Sequence, residues 1–591
     1  MREAERILTV LRERGQRGLP LERLYRLLFQ RDLYLVAYAK LYRNAGAMTP
    51  GVTEETVDGM SLAKIDAIIA SLKSETYRWT PVRRTYIPKA NGKRRPLGIP
   101  TWSDKLLQEV IRLLLDAYYE PQFSPRSHGF RPGRGCHTAL QDVVQQGKGT
   151  KWFIEGDIAA CFDKIDHKVL LNIVREKIHD GRFIQLLAGL LEAGFLEEWR
   201  YHATLSGTPQ GGVISPLLSN LVLDRLDRFV ELTLIPAHTR GSRRKSYPPY
   251  AALLAVSRRA RRSGDRAKAE RAFKDAQSMP SKDPADPSYR RLWYVRYADD
   301  FLLGFIGPKV EALELKQQLG TFLRNELKLE LSETKTLVTH ARDEVARFLG
   351  YEVHAQHADC KHDQHGRRSI NAEIGLRVPR DVVTKNVAKY QRHGKPVHLT
   401  QRVSDSAYSI VTQYQAEYGG IVQYYRMAYN LGVLQSLKWA AEVSLVKTLA
   451  QKFRLPCPQI YQRFGRRVMT PTGIRKVLEV ELDRGPSKRP LVARFGGIPL
   501  TRNPHVMIVD TPSVVWSGRS EIVERLLAEK CALCGTEEGP MQVHHVRKLA
   551  DLTGRSRWER VMIARRRKTL VVCHNCHTAI HNGRYDGPAV S

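Results

Sequence analysis

The strongest constraint in the sequence is a pair of adjacent carboxylates, Asp299 and Asp300, inside the apolar, β-prone run 292–306 (LWYVRYADDFLLGFI). Neighbouring charges in a buried strand are costly unless something positive compensates them. Successive strand residues also face opposite ways, so the pair suits a tight hairpin turn better than a straight strand. That turn would present both carboxylates at the tip of two apolar strands. A second interrupted run, 152–158 (WFIEGDI), places Asp157 near its end. Several converging carboxylates are what two-metal phosphoryl transfer requires, with divalent cations about 3.5–4 Å apart. One cation activates a 3′-hydroxyl and the other steadies a triphosphate leaving group. Mg2+ suits the role because it takes few carboxylates alongside water and phosphate oxygens. YxDD alone is short enough to arise by chance, and Asp157 is what gives it weight.

The net charge of +34 calls for a polyanionic partner, either nucleic acid or an anionic membrane surface. No apolar run reaches the roughly 18 residues of a membrane span, and no apolar signal-peptide core follows Met1, Arg2 and Glu3. Nucleic acid is therefore the expected partner, with no membrane, and the expected compartment is cytoplasmic. The 591 residues exceed one hydrophobic core; at about 150 residues per domain they suggest three or four units.

Along the chain, 21–42 has apolar residues at helical spacing with basic residues and tyrosines interleaved, read either as an ordinary amphipathic helix or as an RNA-contacting one. Residues 84–100 (RTYIPKANGKRRPLGIP) read as a hairpin turning at Asn91-Gly92, with Lys89, Lys93, Arg94 and Arg95 around it. Helices are expected over 164–196 and 216–230. Residues 240–275 hold 12 Lys/Arg against three acids, an exposed basic insertion that is either a solvated face or a nucleic-acid contact. A helical bundle is expected over 408–454. Its six tyrosines suit core packing for the most part, and base stacking for the remainder.

Four of the eight cysteines form two CxxC knuckles, Cys531/Cys534 and Cys573/Cys576. That spacing suits tetrahedral structural zinc, with a redox role as the minor alternative. His577 and His581 are i and i+4, on one face of a helix, and His544-His545 sits in an expected strand.

The order of blocks resembles the reverse transcriptases encoded by group II introns, which are also maturases. YIPKANGKRRPLGIP looks like the first fingers block and SHGFRPGRGCHTAL (127–140) like the second. DIAACFDKIDH looks like the palm block with the first catalytic aspartate. GTPQGGVISPLLSN (207–220) looks like the block lining nucleotide and template, and YVRYADDF (294–301) like the second catalytic block. LELSETKT (329–336) and RFLGYEV (347–353) look like the last two. The resemblance assigns Asp157, Asp299 and Asp300 to catalytic metals, and Gln210 and Gly211 to nucleotide contact. It assigns Lys89 and Arg95 to the dNTP triphosphate, subject to the hairpin register. Phe162 matches the bulky side chain that excludes a ribose 2′-hydroxyl, with core packing as the alternative. Asp163 and Asp166 read as structural.

The last unit resembles the HNH nuclease fold. That resemblance makes His545 the general base and His544, His577 and His581 candidate ligands of one divalent metal, with zinc-stabilised DNA binding without cleavage as the alternative. The family usually has Asn near the start of its second strand. Here Thr569 stands there, and Asn575 is an uncertain substitute.

The expected fold class is therefore α+β: a right-hand polymerase (fingers and palm) with an α-helical thumb, plus a small ββα-metal, zinc-containing domain. The expected divisions are an N-terminal helical extension (1–83), fingers and palm (84–375, with the basic insertion about 231–290), thumb/maturase (376–475), DNA-binding linker (476–520) and nuclease (521–591). The resemblance implies RNA-directed DNA synthesis with two Mg2+ ions, binding of group II intron RNA to promote splicing, and nicking of a DNA target to prime copying of an RNA template from a DNA primer. It also implies a bacterial, nucleoid-associated setting. The rivals are a retron-like, diversity-generating or free-standing reverse transcriptase, an RNA-binding splicing factor with little catalysis, and a DNA nuclease with an idle polymerase.

Overall fold

The computed structural model describes all residues except 1, 45, 89–91, 93, 198–199, 203–206, 208–211, 363, 365–367, 471–472, 484–488, 509–520, 566 and 585–591. At its centre lies a four-stranded antiparallel sheet in the order Arg291–Tyr297, Asp300–Ile306, Trp152–Asp157, Leu337–His340. Its central strands are mostly apolar over 152–154 and 301–306 because both faces are covered there. Ile154, Leu303 and Phe305 enter one core, shared with helices Trp102–Tyr119 and Ser215–Phe229. The alternate residues Phe153 and Leu302 enter a second core, shared with helix Cys136–Gln146 and the C-terminal helices. The two-residue period of a strand thus ties the central sheet to both halves of the molecule.

A second sheet, in the order Arg94–Ile99, Val82–Pro88, Phe195–Glu197, Arg200–His202, forms the fingers. The expected hairpin is present, and its register places Pro88 opposite Arg94. The expected Asn91-Gly92 turn includes residues that lie outside those described. Gly92 has a φ of 79°; Asn91, Lys89 and Lys93 lie outside the described residues.

The expected helix over 21–42 is broken into Leu24–Leu27 and Arg31–Leu41. Long-range bonds override the local periodicity: the amide of Leu21 donates to Lys177 O (2.8 Å) and that of Tyr25 to the Asp180 carboxylate (2.8 Å). Tyr25, Tyr34 and Tyr38 are buried, so these tyrosines pack rather than face RNA. Residues 248–277 form two helices, Pro248–Arg262 and Arg266–Gln277, joined through buried Ala260, Ala269 and Ala272. Their arginines Arg258, Arg259 and Arg262 are exposed.

Helices Ala407–Tyr424, Gln435–Phe453 and Cys457–Phe464 form the thumb. Its tyrosines are mostly structural. Tyr414 Oη lies 2.9 Å from Ser444 Oγ and 3.0 Å from Thr448 Oγ1, while Tyr424 and Tyr425 donate to Leu349 O and Gly350 O beside the palm. A three-stranded antiparallel sheet follows (Gly465–Thr470, Gly473–Leu482, Leu491–Gly496) and packs Leu478 and Phe495 against the thumb core. The division expected at residue 475 falls inside one of its strands, and those at 83 and 375 fall inside Val82–Pro88 and Arg368–Arg377. Dense basic residues such as Arg475 and Lys476 hide the apolar alternation of the third sheet from a composition-based reading.

The last unit is a ββα arrangement: antiparallel Met541–His545 and Thr569–Cys573, then helix His574–His581. Among the described residues, no helix is long and apolar enough to cross a membrane.

Candidate functional site

The turn between the two central hairpin strands is two residues long. Tyr297 pairs with Asp300, leaving Ala298 and Asp299 at the tip. Ala298 has a φ of 55°. Positive φ at the first central position is the pattern of a II′ turn, where glycine is usual; a side chain there costs roughly 1–2 kcal/mol.

The surroundings hold the turn in place. Arg296 is wholly buried, and its guanidinium donates to both Asp227 carboxylate oxygens (2.7 and 2.6 Å), to Ala298 O (2.8 Å), Asn220 Oδ1 (3.1 Å) and Ser127 Oγ (2.8 Å). Asn220 in turn donates to Gly129 O (2.9 Å). Gly129 backs onto the turn so closely that a Cβ would sit 2.3 Å from Ala298 N. The SHGF and SPLLSN blocks therefore position the acidic tip from behind.

Asp157 lies directly across the ladder from Asp300, so all three expected carboxylates are brought to one end of the sheet. Burial raises the pKa of Asp299, as does the charge of Asp157, while Lys335 and Arg95 oppose the rise. Burial, then the charges of Asp299 and Asp157, push Asp300 up to about 7. Lys335 Nζ donates to both Asp157 carboxylate oxygens (2.9 and 3.0 Å). Crowded, partly desolvated carboxylates of this kind fit a divalent cation, which would offset their mutual repulsion.

Phe162 is half-buried in the short helix Cys161–Lys164, outside both cores, and packs edge-on against Phe130 with centroids 6.1 Å apart. Arg95 is exposed on the fingers hairpin opposite Ile87. Lys89, Gln210 and Gly211 lie outside the described residues. Asp166 caps helix His167–Arg175 through the Val169 amide (2.9 Å).

In the C-terminal ββα unit, the sulfurs of Cys531, Cys534, Cys573 and Cys576 all lie within 4.8 Å of one another. Cys534 Sγ and Cys573 Sγ are 3.8 Å apart, matching the edge of a tetrahedron with Zn–S of about 2.3 Å. The hydrogen bonds from the amides of Cys534 and Leu533 favour thiolate, and although burial opposes it, Cys531 is lowered to about 7. The donor set fits zinc.

A second cluster gathers His544, His577 and His581 with one residue that sequence reasoning did not single out, Asp58. Burial lowers His544 to about 4, which keeps it neutral near pH 7. Both its ring nitrogens are buried without a hydrogen-bond partner, as suits a metal ligand. His545 points to the other side of the strand, with Nε2 3.4 Å from Tyr38 Oη, and it is 6% exposed. Burial lowers it to about 4 as well. Thr569 pairs with His545 across the ladder and is held by Arg525, which donates to its hydroxyl (2.9 Å) and carbonyl (3.1 Å). Asn575 is on the exposed face of the last helix.

The missed residues left different traces. Lys335 lies inside a block recognised on other grounds. Asp227 looks like an ordinary surface charge in sequence, whereas Arg296 interrupts the apolar run 292–306 as the two acids do. Asp58 sits in the polar stretch VTEETVDGM, which carries no signal at all.

Comparison with known families agrees with this geometry. Residues 87–254 match the family "Reverse transcriptase (RNA-dependent DNA polymerase)", 378–486 "Type II intron maturase" and 531–577 "AI2M/AI1M-like, HNH endonuclease". The chain is 39% identical to the group II intron-encoded protein LtrA of Lactococcus lactis subsp. cremoris, over 94% of this chain and 95% of that protein. It is 32% identical to an uncharacterized 91 kDa protein in the cob intron of Schizosaccharomyces pombe, over 94% of this chain and 69% of that one. A putative COX1/OXI3 intron 1 protein of Saccharomyces cerevisiae is 30% identical, over 94% and 68%. The chain belongs to the group II intron-encoded reverse transcriptases and maturases, with reverse transcriptase, maturase and HNH endonuclease domains in one polypeptide.

Proposed function

We propose that Asp157, Asp299 and Asp300 hold two Mg2+ ions for RNA-directed DNA synthesis, and that the chain uses this activity to copy its own intron RNA into a nicked DNA target. The observation that carries the reading is the ladder pairing of Asp157 with Asp300 beside a hairpin tip bearing Asp299. Bound there, the ions would supply the Lewis acidity for in-line attack of a primer 3′-hydroxyl on a dNTP. Phe162, half-buried just past the strand that bears Asp157, would exclude a ribose 2′-hydroxyl. Arg95 and Lys89 would neutralise triphosphate charge, and Gln210 and Gly211 would contact the incoming nucleotide.

In the nuclease unit, Cys531, Cys534, Cys573 and Cys576 would hold a structural Zn2+. His544, His577 and His581 would hold a second divalent ion that orients the scissile phosphate, with His545 accepting a proton from the attacking water. The basic surface, including the exposed arginines of the insertion, would bind intron RNA and the DNA target. The work would take place in a bacterial cytoplasm, at the nucleoid when DNA is the substrate.

The test is Asp299→Ala in the full chain bound to intron RNA. Primer extension on an RNA template should be abolished while RNA binding and splicing assistance persist. Equal loss of splicing would refute separable functions, and retained extension would refute the metal assignment.

A further inference from the structure

The nuclease unit is seated on the N-terminal part of the chain, and both of its functional elements face that seat. Residues Asp58 to Met60 run alongside strand Met541–His545. Val543 N donates to Met60 O (2.8 Å) and Gly59 N to Val543 O (3.0 Å), making a short antiparallel bridge. Apolar residues of the two parts, among them Val57, Met60, Trp102, Met541 and Val543, join one core. This is a packed interface rather than a grazing contact.

Within it, the Asp58 carboxylate enters the histidine cluster. One oxygen accepts from the His545 amide (2.6 Å) and lies 3.3 Å from His577 Nε2 and 3.5 Å from His544 Nδ1; the other lies 2.7 Å from His581 Nε2. On the far side of the strand, His545 is covered by Tyr38 and Tyr42, each with its ring centroid 6.3 Å away. Three imidazoles and a carboxylate supply four donors, their ligand atoms all within 4.8 Å of one another, as many as a closed four-coordinate site takes. Catalytic metal sites, by contrast, keep one position open for water or substrate. A scissile phosphate would bring an anionic oxygen to the position Asp58 takes, and His545, 6% exposed, is shielded from solvent.

We propose that Asp58 is a fourth protein ligand of the nuclease metal, and that the docked arrangement is a latent form of the nuclease which must open before DNA is cut. This rests on the reading of His544, His577 and His581 as the ligands of that metal. Latency suits a nuclease whose nick serves to prime copying, because a cut made before the RNA template is in place would break the DNA without being used.

The experiment uses the full chain with intron RNA, in an Asp157→Ala background that weakens competing Mn2+ binding at the polymerase site. Mn2+ affinity is measured by calorimetry and nicking of the DNA target at saturating Mn2+. Asp58→Ala should weaken Mn2+ binding roughly tenfold or more while raising the nicking rate. Asp58→Asn, which keeps an oxygen for the His545 amide, should show the same changes with the Val543 amide still protected from hydrogen exchange, separating ligand loss from collapse of the interface. Unchanged Mn2+ affinity would overturn the ligand assignment, and a fall in nicking at saturating Mn2+ would overturn latency. His577→Ala run in parallel tells the two readings apart. If it also leaves Mn2+ affinity unchanged, the nuclease metal site itself is misassigned; if it weakens binding where Asp58→Ala does not, only this proposal fails.

Discussion

Arg296 and Asp227 form a bidentate ion pair with no solvent exposure on either side, directly behind the turn that carries Asp299. A buried pair of this kind is a weak source of net stability, but removing one partner strands the other as an uncompensated charge. Asp227→Ala should therefore cost about 3–5 kcal/mol, read as the shift in the unfolding transition that includes the palm. The double substitution Arg296→Met with Asp227→Leu should recover much of that stability without restoring primer extension, because Ala298 O would still lack its donor. Full activity in the double variant would show that the pair serves packing alone.

Gly129 offers an independent probe of the same turn. A methyl group at this position would overlap Ala298 N, a backbone atom that cannot swing away. The turn must move instead, and displacements near 1 Å in a catalytic constellation can cost on the order of 100-fold in rate. Gly129→Ala should lower the primer-extension rate by about that factor while RNA affinity stays near the parent value. An unchanged rate would mean that the turn has room the geometry does not show.

These two positions also show where sequence reading reaches its limit. The convergence of Asp157, Asp299 and Asp300 at one end of the sheet was legible because acid inside an apolar strand violates a local rule. The gathering of the four cysteines was legible because two CxxC knuckles each bring a pair of thiols close together. Asp227 violates nothing locally, and only the fold reveals that it is buried and joined to Arg296, whose place inside the apolar run 292–306 is itself an anomaly. The helix break after Leu27 escaped for the same reason, since Asp180 and Lys177 lie far outside the window over which periodicity is read. Asp58 is the extreme case, meeting its partners across some 490 to 520 residues of chain.

The cysteine cluster predicts a separable zinc dependence. Strand Thr569–Cys573 and helix His574–His581 meet at Cys573, so loss of the metal should loosen the nuclease unit where its histidines are mounted. Cys573→Ser should remove one zinc per chain by elemental analysis and abolish nicking. Primer extension should stay within about twofold, since additivity holds for distant sites. Zinc retained at the parent level would place the metal elsewhere.

The basic helical hairpin predicts a salt signature. Arg258, Arg259 and Arg262 are exposed and lie on one insertion, so alanine at all three should weaken intron RNA binding. The slope of log affinity against log salt should flatten by about 0.7–0.9 for each phosphate that is no longer neutralised. An unchanged slope with intact RNA binding would mark the insertion as a solvated face.

Phe162 carries the sharpest specificity prediction. It follows Ala160, whose φ of 50° turns the chain after the strand bearing Asp157, and its ring rests on Phe130 rather than in either core. A half-buried aromatic so placed can act as a wall against a ribose 2′-hydroxyl without being needed for folding. Phe162→Val should raise incorporation of ribonucleotides relative to deoxyribonucleotides, measured as the ratio of kcat/KM values, with little change in thermal stability. Rejecting one hydroxyl by shape alone is worth about 1–3 kcal/mol, or roughly 10–200-fold, which bounds the shift expected. A loss of stability without any change in that ratio would return Phe162 to a packing role.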